Sequence, residues 1–217
     1  MVKRRTRIVP QQRKVLRADF AVEEERYQAW IAFVFDRPST SNGWYFDMDP
    51  WPPEFRSGPV ETVGLIGKTA ARSGIDLRGF NNTQVYHGLN YIFNGACSDL
   101  ANSFASDEAP VELKVAALRA MKHLYKDCFK ARCGPFLGHL SEGSENRLNM
   151  FVYMLWDTTP IHYVNRNVGP VNNAIMDVLE FALGLHNDAC IESALHGLGQ
   201  AHLFVSVLSR ANHRPLP

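Results

Sequence analysis

Residues 83–104 read TQVYHGLNYIFNGACSDLANSF and carry the most regular hydrophobic spacing in the chain. Their apolar side chains recur three or four positions apart, at Val85, Leu89, Ile92, Phe93, Ala96 and Leu100. This spacing matches the 3.6-residue turn of an α-helix, because residues so spaced lie on one helix face. The stretch therefore predicts one long amphipathic helix.

The same period continues through most of the sequence, with proline and glycine at the segment ends. No segment shows the alternation typical of a half-buried strand, so sheet folds are excluded and the predicted class is all-α with about seven helices. The predicted helices are Phe20–Arg37, Val60–Arg72, Thr83–Phe104, one that opens at Pro110 and stops at Gly134, Arg147–Trp156, one that opens at Gly169 and continues through Ala182, and a last one that carries Ile191–Leu208.

Residues 39–59 are predicted to form a loop, because four prolines and two glycines in this stretch exclude a helix. The loop is also rich in aromatic residues, which include Trp44 and Trp51. We expect an ordered loop whose tryptophans either pack into the domain or serve as anchors for a partner, and both are candidate binding residues.

The charge is distributed unevenly. Residues 1–17 carry seven basic side chains and no acid, whereas the rest of the chain carries 16 basic and 22 acidic side chains. We interpret residues 1–17 as a flexible basic segment and residues 18–217 as a single helical domain. Nucleic acid is expected as a partner only through this segment, since the body lacks a basic excess.

The start of the chain lacks a secretory pattern, and its apolar runs are too short to span a bilayer. The four cysteines do not form a disulfide-type framework. We therefore expect a cytoplasmic protein with no membrane partner.

Short connections between helices predict antiparallel hairpins, and hairpins stacked in a row form an α-α superhelix. In this respect the chain resembles the armadillo and HEAT repeats, most clearly over Val171–Leu208. The run ESALHGLG at 192–199 is also similar to a stretch in uncharacterised bacterial helical proteins, a resemblance that implies no activity.

Glu192 and His196 lie four residues apart and therefore on one helix face. Two interpretations are open: a hydrogen-bonded pair that links neighbouring hairpins, or a carboxylate that orients a histidine for proton transfer or metal binding. Gly197 and Gly199 favour the first, because glycine inside a helix suggests that a neighbour packs closely.

Two residue sets contain side chains that could bind a metal ion. His123, Cys128, Cys133 and His139 have suitable side chains but not the spacing of zinc sites. Asp36, Asp47, Asp49 and Glu54 offer oxygen ligands without a calcium-loop pattern. The phosphate-loop, dinucleotide, nucleophile-elbow and zinc-helix motifs are missing too, so we predict no metal, no cofactor and no catalytic residue.

If the second helices of successive hairpins line one concave surface, their polar side chains converge in a groove. The candidate binding residues there are Asn90, Asn94, Tyr153, Asp157, Glu192 and His196, and Asn149 is expected on the same helix as Tyr153 and Asp157. Each of these side chains could equally bond within the core.

The leading hypothesis is a non-catalytic scaffold that binds another protein, either as an adaptor or as the neutralising partner of a toxin. The alternatives are an enzyme or metal-binding protein that uses the groove around Glu192 and His196, and a nucleic-acid binder that uses residues 1–17.

Overall fold

The computed structural model describes residues 20–39, 42–47, 54–140, 146–165 and 168–211, with only the backbone described from 201 onward. Within these ranges no residue lies in a β-strand, so the all-α prediction is confirmed. The α-helices are α1 (Glu24–Phe35), α2 (Pro59–Asp76), α3 (Asn82–Phe93), α4 (Val111–His123), α5 (Lys130–Arg132), α6 (Arg147–Thr158), α7 (Ile161–Val164), α8 (Gly169–Leu183) and α9 (Asp188–Ala211). Two 3₁₀ turns (Trp44–Phe46 and Leu100–Ala105) and one π turn (Leu124–Phe129) complete them.

The helices contact one another in two series. One series joins α2 to α4 and α4 to α8, and the other joins α3 to α6 and α6 to α9. Helices α3 and α6 run in the same direction: Asn82 is hydrogen-bonded to Asn146 near their starts (3.4 Å), and Gly95 N donates to Thr158 O near their ends (3.1 Å).

Helices α6 and α9 also run in the same direction. Tyr153 packs on His196, and four residues later on both helices Asp157 accepts a hydrogen bond from Gln200. The consecutive helices α8 and α9 contact each other as the predicted hairpin requires. The first helices of the three hairpins, α2, α4 and α8, therefore lie side by side, and so do the second helices, α3, α6 and α9. This is the arrangement found in stacked hairpins.

The helix predicted over Thr83–Phe104 is interrupted. It ends at Phe93, and the chain continues through a turn into the 3₁₀ segment Leu100–Ala105. Asn94 accepts a hydrogen bond from the N–H of Ala96, and Gly95 pairs with Thr158 of α6 instead of continuing the helix. The Asn-Gly pair was a turn signal that the surrounding periodicity concealed.

Helix α4 passes without a break into the π turn, in which the N–H of Lys130 bonds back five residues to Tyr125 O. The turn lies close against α2, because a Cβ added at Gly74 would be 2.7 Å from Asp127 Cβ. Just beyond it, Arg132 donates hydrogen bonds to Leu77 O and Phe80 O in the connection between α2 and α3. These contacts fix the end of the α4 segment on the preceding pair of helices.

The aromatic loop is ordered where it is described. Trp44 and Tyr45 are buried, and the rings of Trp44 and Tyr91 lie 4.6 Å apart between centroids. Phe46 is exposed, and Trp51 lies outside the described residues. Trp44 and Tyr45 therefore act as packing residues of the domain. No helix in the described part of the chain is long and apolar enough to cross a membrane.

Helix α9 packs closely on its neighbours at Gly197. A Cβ at this position would lie 2.7 Å from Leu179 Cδ2 and 2.8 Å from Trp156 Cδ1, too close for any side chain. At Gly199, in contrast, no atom of the described residues lies within 4 Å of an added Cβ. The expectation of a close neighbour is therefore met at Gly197 and not at Gly199.

We predict that Gly197→Ala lowers the free energy of unfolding by about 1–3 kcal/mol, because Trp156 and Leu179 must move to admit the methyl group. Gly199→Ala is the matched control on the same helix and should raise stability by up to about 1 kcal/mol through helix propensity. Urea denaturation followed by far-UV circular dichroism measures both. Equal effects at the two positions would contradict the close contact.

Candidate functional site

The candidate binding residues separate into two clusters. In the first cluster, near the aromatic loop, Trp44 and Asn90 contact Tyr45, and Asn94 bonds to Asn90. The other cluster lies between α6 and α9 and contains Tyr153, Asp157, Glu192 and His196. The single groove that was predicted across α3, α6 and α9 is thus divided, and the second cluster lines an open depression between α6 and α9.

We call that depression the α6–α9 groove. It has a volume of about 390 Å³ and is mainly apolar. Its walls come from α6, α9 and the loop before α6, and the lining residues are Leu137, His139, Tyr153, Asp188, Ile191, Glu192, Leu195 and His196.

His196 is held by a carboxylate from α6. Its Nε2 lies 2.6 Å from Asp157 Oδ2, and the other oxygen of Asp157 accepts a hydrogen bond from Gln200, one turn further along α9. The ring of Tyr153 meets the His196 ring edge to face, with 4.5 Å between centroids. Asp157 and Tyr153 therefore fix the orientation of this imidazole at the groove wall, and Gln200 holds Asp157 in place.

Glu192 has a different set of partners. It accepts hydrogen bonds from the backbone N–H groups of Gly138 (2.5 Å) and His139 (3.3 Å), and it also bonds to the His139 ring. Charge-assisted bonds of this kind contribute roughly 1.5–3 kcal/mol each. Glu192 thus attaches the loop before α6 to α9 and forms one side of the groove.

The idea that Glu192 orients His196 is therefore wrong. Both residues line the groove, but the carboxylate that binds His196 is Asp157, thirty-nine residues away in sequence. Glu192 and His196 do lie on one helix face, as the spacing of four predicted, yet each turns to a partner on another element.

The buried side chain of Asn149, on α6, also holds the loop before α6 in place. Its side chain accepts from Gly134 N and donates to Gly134 O and Phe136 O. Gly138 then passes so close to α6 that a Cβ there would lie 2.7 Å from Tyr153 Cβ. The groove wall is consequently a fixed surface of the domain.

Apolar side chains are exposed around the groove. Leu195 is 58% exposed on its wall, and Phe136 and Leu140 are exposed on the adjacent loop. The apolar spacing of the last helix predicts that both Ala194 and Leu195 are buried. Ala194 is buried, but the prediction for Leu195 is wrong, and α9 buries Cys190 and Ser193 as well. The buried face of α9 is rotated relative to the predicted one because Ser193 bonds to the buried Tyr125, a contact that the sequence pattern does not reveal.

The cluster around Tyr45 is bonded internally. Asn90 donates to the Tyr45 hydroxyl at 3.0 Å and accepts from Asn94 at 3.1 Å. Burial raises the pKa of Tyr45 well above its ordinary value, so the phenol stays protonated. Asn90 and Asn94 thus hold the aromatic loop on α3, which is a packing role.

The four thiols are free, and three of them are buried. Burial raises the pKa of Cys128 to about 11 and that of Cys190 to about 12, so both remain protonated near neutral pH and are poor ligands and nucleophiles. His123 pairs with Asp127 and His139 with Glu192, which separates the two histidines of the candidate zinc set.

Across the described residues, no group of three or more histidine, cysteine, aspartate or glutamate side chains is arranged to hold a metal ion. Of the candidate oxygen ligands, Asp47 and Glu54 are exposed and Asp49 lies outside the described residues. The basic segment 1–17 also lies outside them, so its nucleic-acid role stays a prediction.

Two residues of the site had weak sequence signals. Gln200 follows His196 by four positions, the spacing that placed Glu192 on the same face. The sequence indicates His139 only as a possible metal ligand, and nothing in it indicates that the loop of His139 folds back onto α9.

Comparisons with models of known protein families, with curated proteins and with solved structures found no match to this chain.

Proposed function

We propose that this chain is a non-catalytic helical scaffold that binds a segment of another protein in the α6–α9 groove. The observation that carries the proposal is the exposure of Leu195 on the groove wall. Exposed apolar side chains grouped around a depression are typical of interaction sites, since their burial against a partner is favourable.

The polar groups of the groove suit binding better than catalysis. Each oxygen of Asp157 has a hydrogen-bond partner, His196 or Gln200, and Glu192 is bonded to the loop backbone. These groups are therefore already oriented and need no rearrangement when a partner docks. Tyr153 lies between the two polar pairs, and tyrosine is a frequent central anchor of interfaces. The described residues that line the groove include no serine, threonine, cysteine or lysine as a nucleophile.

The proposal includes two roles, an adaptor and the neutralising partner of a toxin, which differ only in what the bound protein does. It also includes a HEAT- or armadillo-like, bacterial-type identity and a cytoplasmic location. The parallel stacking of α3, α6 and α9 supports the HEAT- or armadillo-like architecture. The four free thiols support the cytoplasmic location.

Photo-crosslinking in cells of the native host tests the groove directly. Leu195 is replaced by the photoreactive residue p-benzoylphenylalanine, and Ile75, which is 72% exposed on α2, is replaced in the same way as a matched control. We expect one discrete heavier adduct from position 195, identified by mass spectrometry, and none from position 75.

Adding Leu140→Asp to the chain with the probe at position 195 should reduce the adduct at least about fivefold, because a charge beside the groove opposes apolar docking. Equal labelling from both positions, or an adduct insensitive to Leu140→Asp, would contradict the proposal.

The pairing of His196 with Asp157 favours one second candidate, a general base oriented by a carboxylate. His196→Gln separates the two functions, since glutamine can still donate to Asp157 but cannot accept a proton at neutral pH. If the groove only binds, we expect the phenotype of the gene deletion to be complemented fully. The control is His123→Gln, which alters an exposed histidine–aspartate pair elsewhere. Loss of complementation by His196→Gln alone, with an unchanged unfolding curve, would favour catalysis.

A further inference from the structure

A depression that we call the Phe20 pocket lies where the described chain enters the domain. It has a volume of about 420 Å³ and is mainly apolar. Phe20, Val22 and Glu23 form one wall, and the others come from Val60 and Glu61 of α2 and from Leu113 of α4. The start of the described chain is thus itself part of the pocket.

The chain is held firmly against α2 at this point. A Cβ added at Gly67 would lie 2.3 Å from Phe20 Cε1, so the Phe20 ring occupies the space of the missing side chain. Lys68 Nζ donates a hydrogen bond to Val22 O at 2.9 Å. Ala21 has a φ of 50°, in the left-handed region, which a non-glycine residue keeps only where its surroundings hold it there. These contacts fix the point at which the preceding part of the chain joins the domain.

Residues 1–19 precede this point and lie outside the described residues. Val15 and Leu16 are five and four positions before Phe20. An extended chain spans at most about 3.6 Å per residue, so both residues stay within about 18 Å of Phe20 in any conformation. Because the chain tethers them beside the pocket, their docking there is intramolecular and proceeds at an effective concentration on the order of millimolar.

The sequence just before Phe20 matches the apolar surface of the pocket. Residues 13–17 read RKVLR, an apolar pair flanked by cations. On the pocket wall the side chain of Val60 is exposed and that of Leu113 is only partly buried. Both would lose apolar surface to the Val15 and Leu16 side chains, and this burial is favourable.

The charges match as well. Glu23 and Glu61 line the pocket, and Glu112 is exposed on α4 next to Leu113. Glu61 is bonded to Arg26 at 2.8 Å, whereas no described lysine, arginine or histidine lies at ion-pair distance from Glu23 or Glu112. The carboxylates of Glu23 and Glu112 are therefore available to the cations of residues 13–17.

We propose that residues 13–17 of this chain dock in the Phe20 pocket. The apolar pair packs on Val60 and Leu113, and the flanking cations lie beside the carboxylates of Glu23 and Glu112. Docking holds three of the seven cations of residues 1–17 on the domain, so a polyanion that binds through residues 1–17 must first release them. The Phe20 pocket is separate from the α6–α9 groove, and neither proposal depends on the other.

Limited trypsin digestion of the full chain tests the docking, because cleavage of a segment that opens and closes rapidly follows the population of its open form. Cleavage rates after Lys14, after Arg17 and after Arg7 are measured by mass spectrometry. The same bonds in a synthetic peptide of residues 1–19 give the unprotected rates. We expect about tenfold or greater protection after Lys14 and Arg17 and almost none after Arg7.

Two sets of substitutions change the pocket and leave the cleaved bonds unaltered. Glu23→Gln/Glu112→Gln removes the two available charges, and Val60→Ser removes apolar surface. Each should lower the protection at least about threefold. The matched control, Asp107→Asn/Glu180→Gln, removes the same charge from exposed positions that do not line the pocket and should change nothing. All five positions are exposed, and urea unfolding curves verify that each variant is folded.

The outcomes separate docking from its alternatives. Protection that persists in both pocket variants would come from closeness to the folded domain alone. Protection that rises with the concentration of the chain would place the segment on a second copy. Either result, or equal cleavage in the chain and in the peptide, would overturn the proposal.

Discussion

The second half of the fold depends on a buried chain of hydrogen bonds where three elements meet. Trp156 of α6 donates from Nε1 to the Tyr125 hydroxyl at 2.9 Å, and that hydroxyl lies 2.7 Å from Ser193 Oγ on α9. All three side chains are buried, so each polar group must find its partner here. The network therefore fixes the rotation of α6 and α9 about their axes relative to the π turn.

This rotation determines what reaches the surface. With Ser193 turned inward, Leu195 is turned outward, and His196 is brought to Asp157 at the groove wall. Gly197 permits the arrangement, because Trp156 occupies the space that a side chain there would need. Apolar side chains of an amphipathic helix ordinarily face the core. On α9 the buried hydrogen bond of Ser193 turns Leu195 to the surface instead.

The helical class and most helix positions were predictable from the sequence, because apolar spacing reports the helix period directly. The interruption after Phe93 was missed since local periodicity continues across a turn that is fixed by Thr158, a residue distant in sequence. Most residues of the site were predicted from the sequence, but their pairing was not. Asp157 and His196 are distant in sequence and meet only because α6 packs on α9. The binding role, the partner and the superhelical repeat identity stay predictions.

A double-mutant cycle between Tyr125→Phe and Ser193→Ala tests the central claim most directly. Tyr125→Phe keeps the ring and removes only the hydroxyl, and urea unfolding of the two single variants and the double variant gives the coupling free energy. The account predicts a coupling of about 1 kcal/mol or more, with Tyr125→Phe alone costing about 1–3 kcal/mol because it leaves the Trp156 donor buried and unpaired. Effects that add within about 0.5 kcal/mol would show that the network does not hold α9 in place and would remove the basis for the groove.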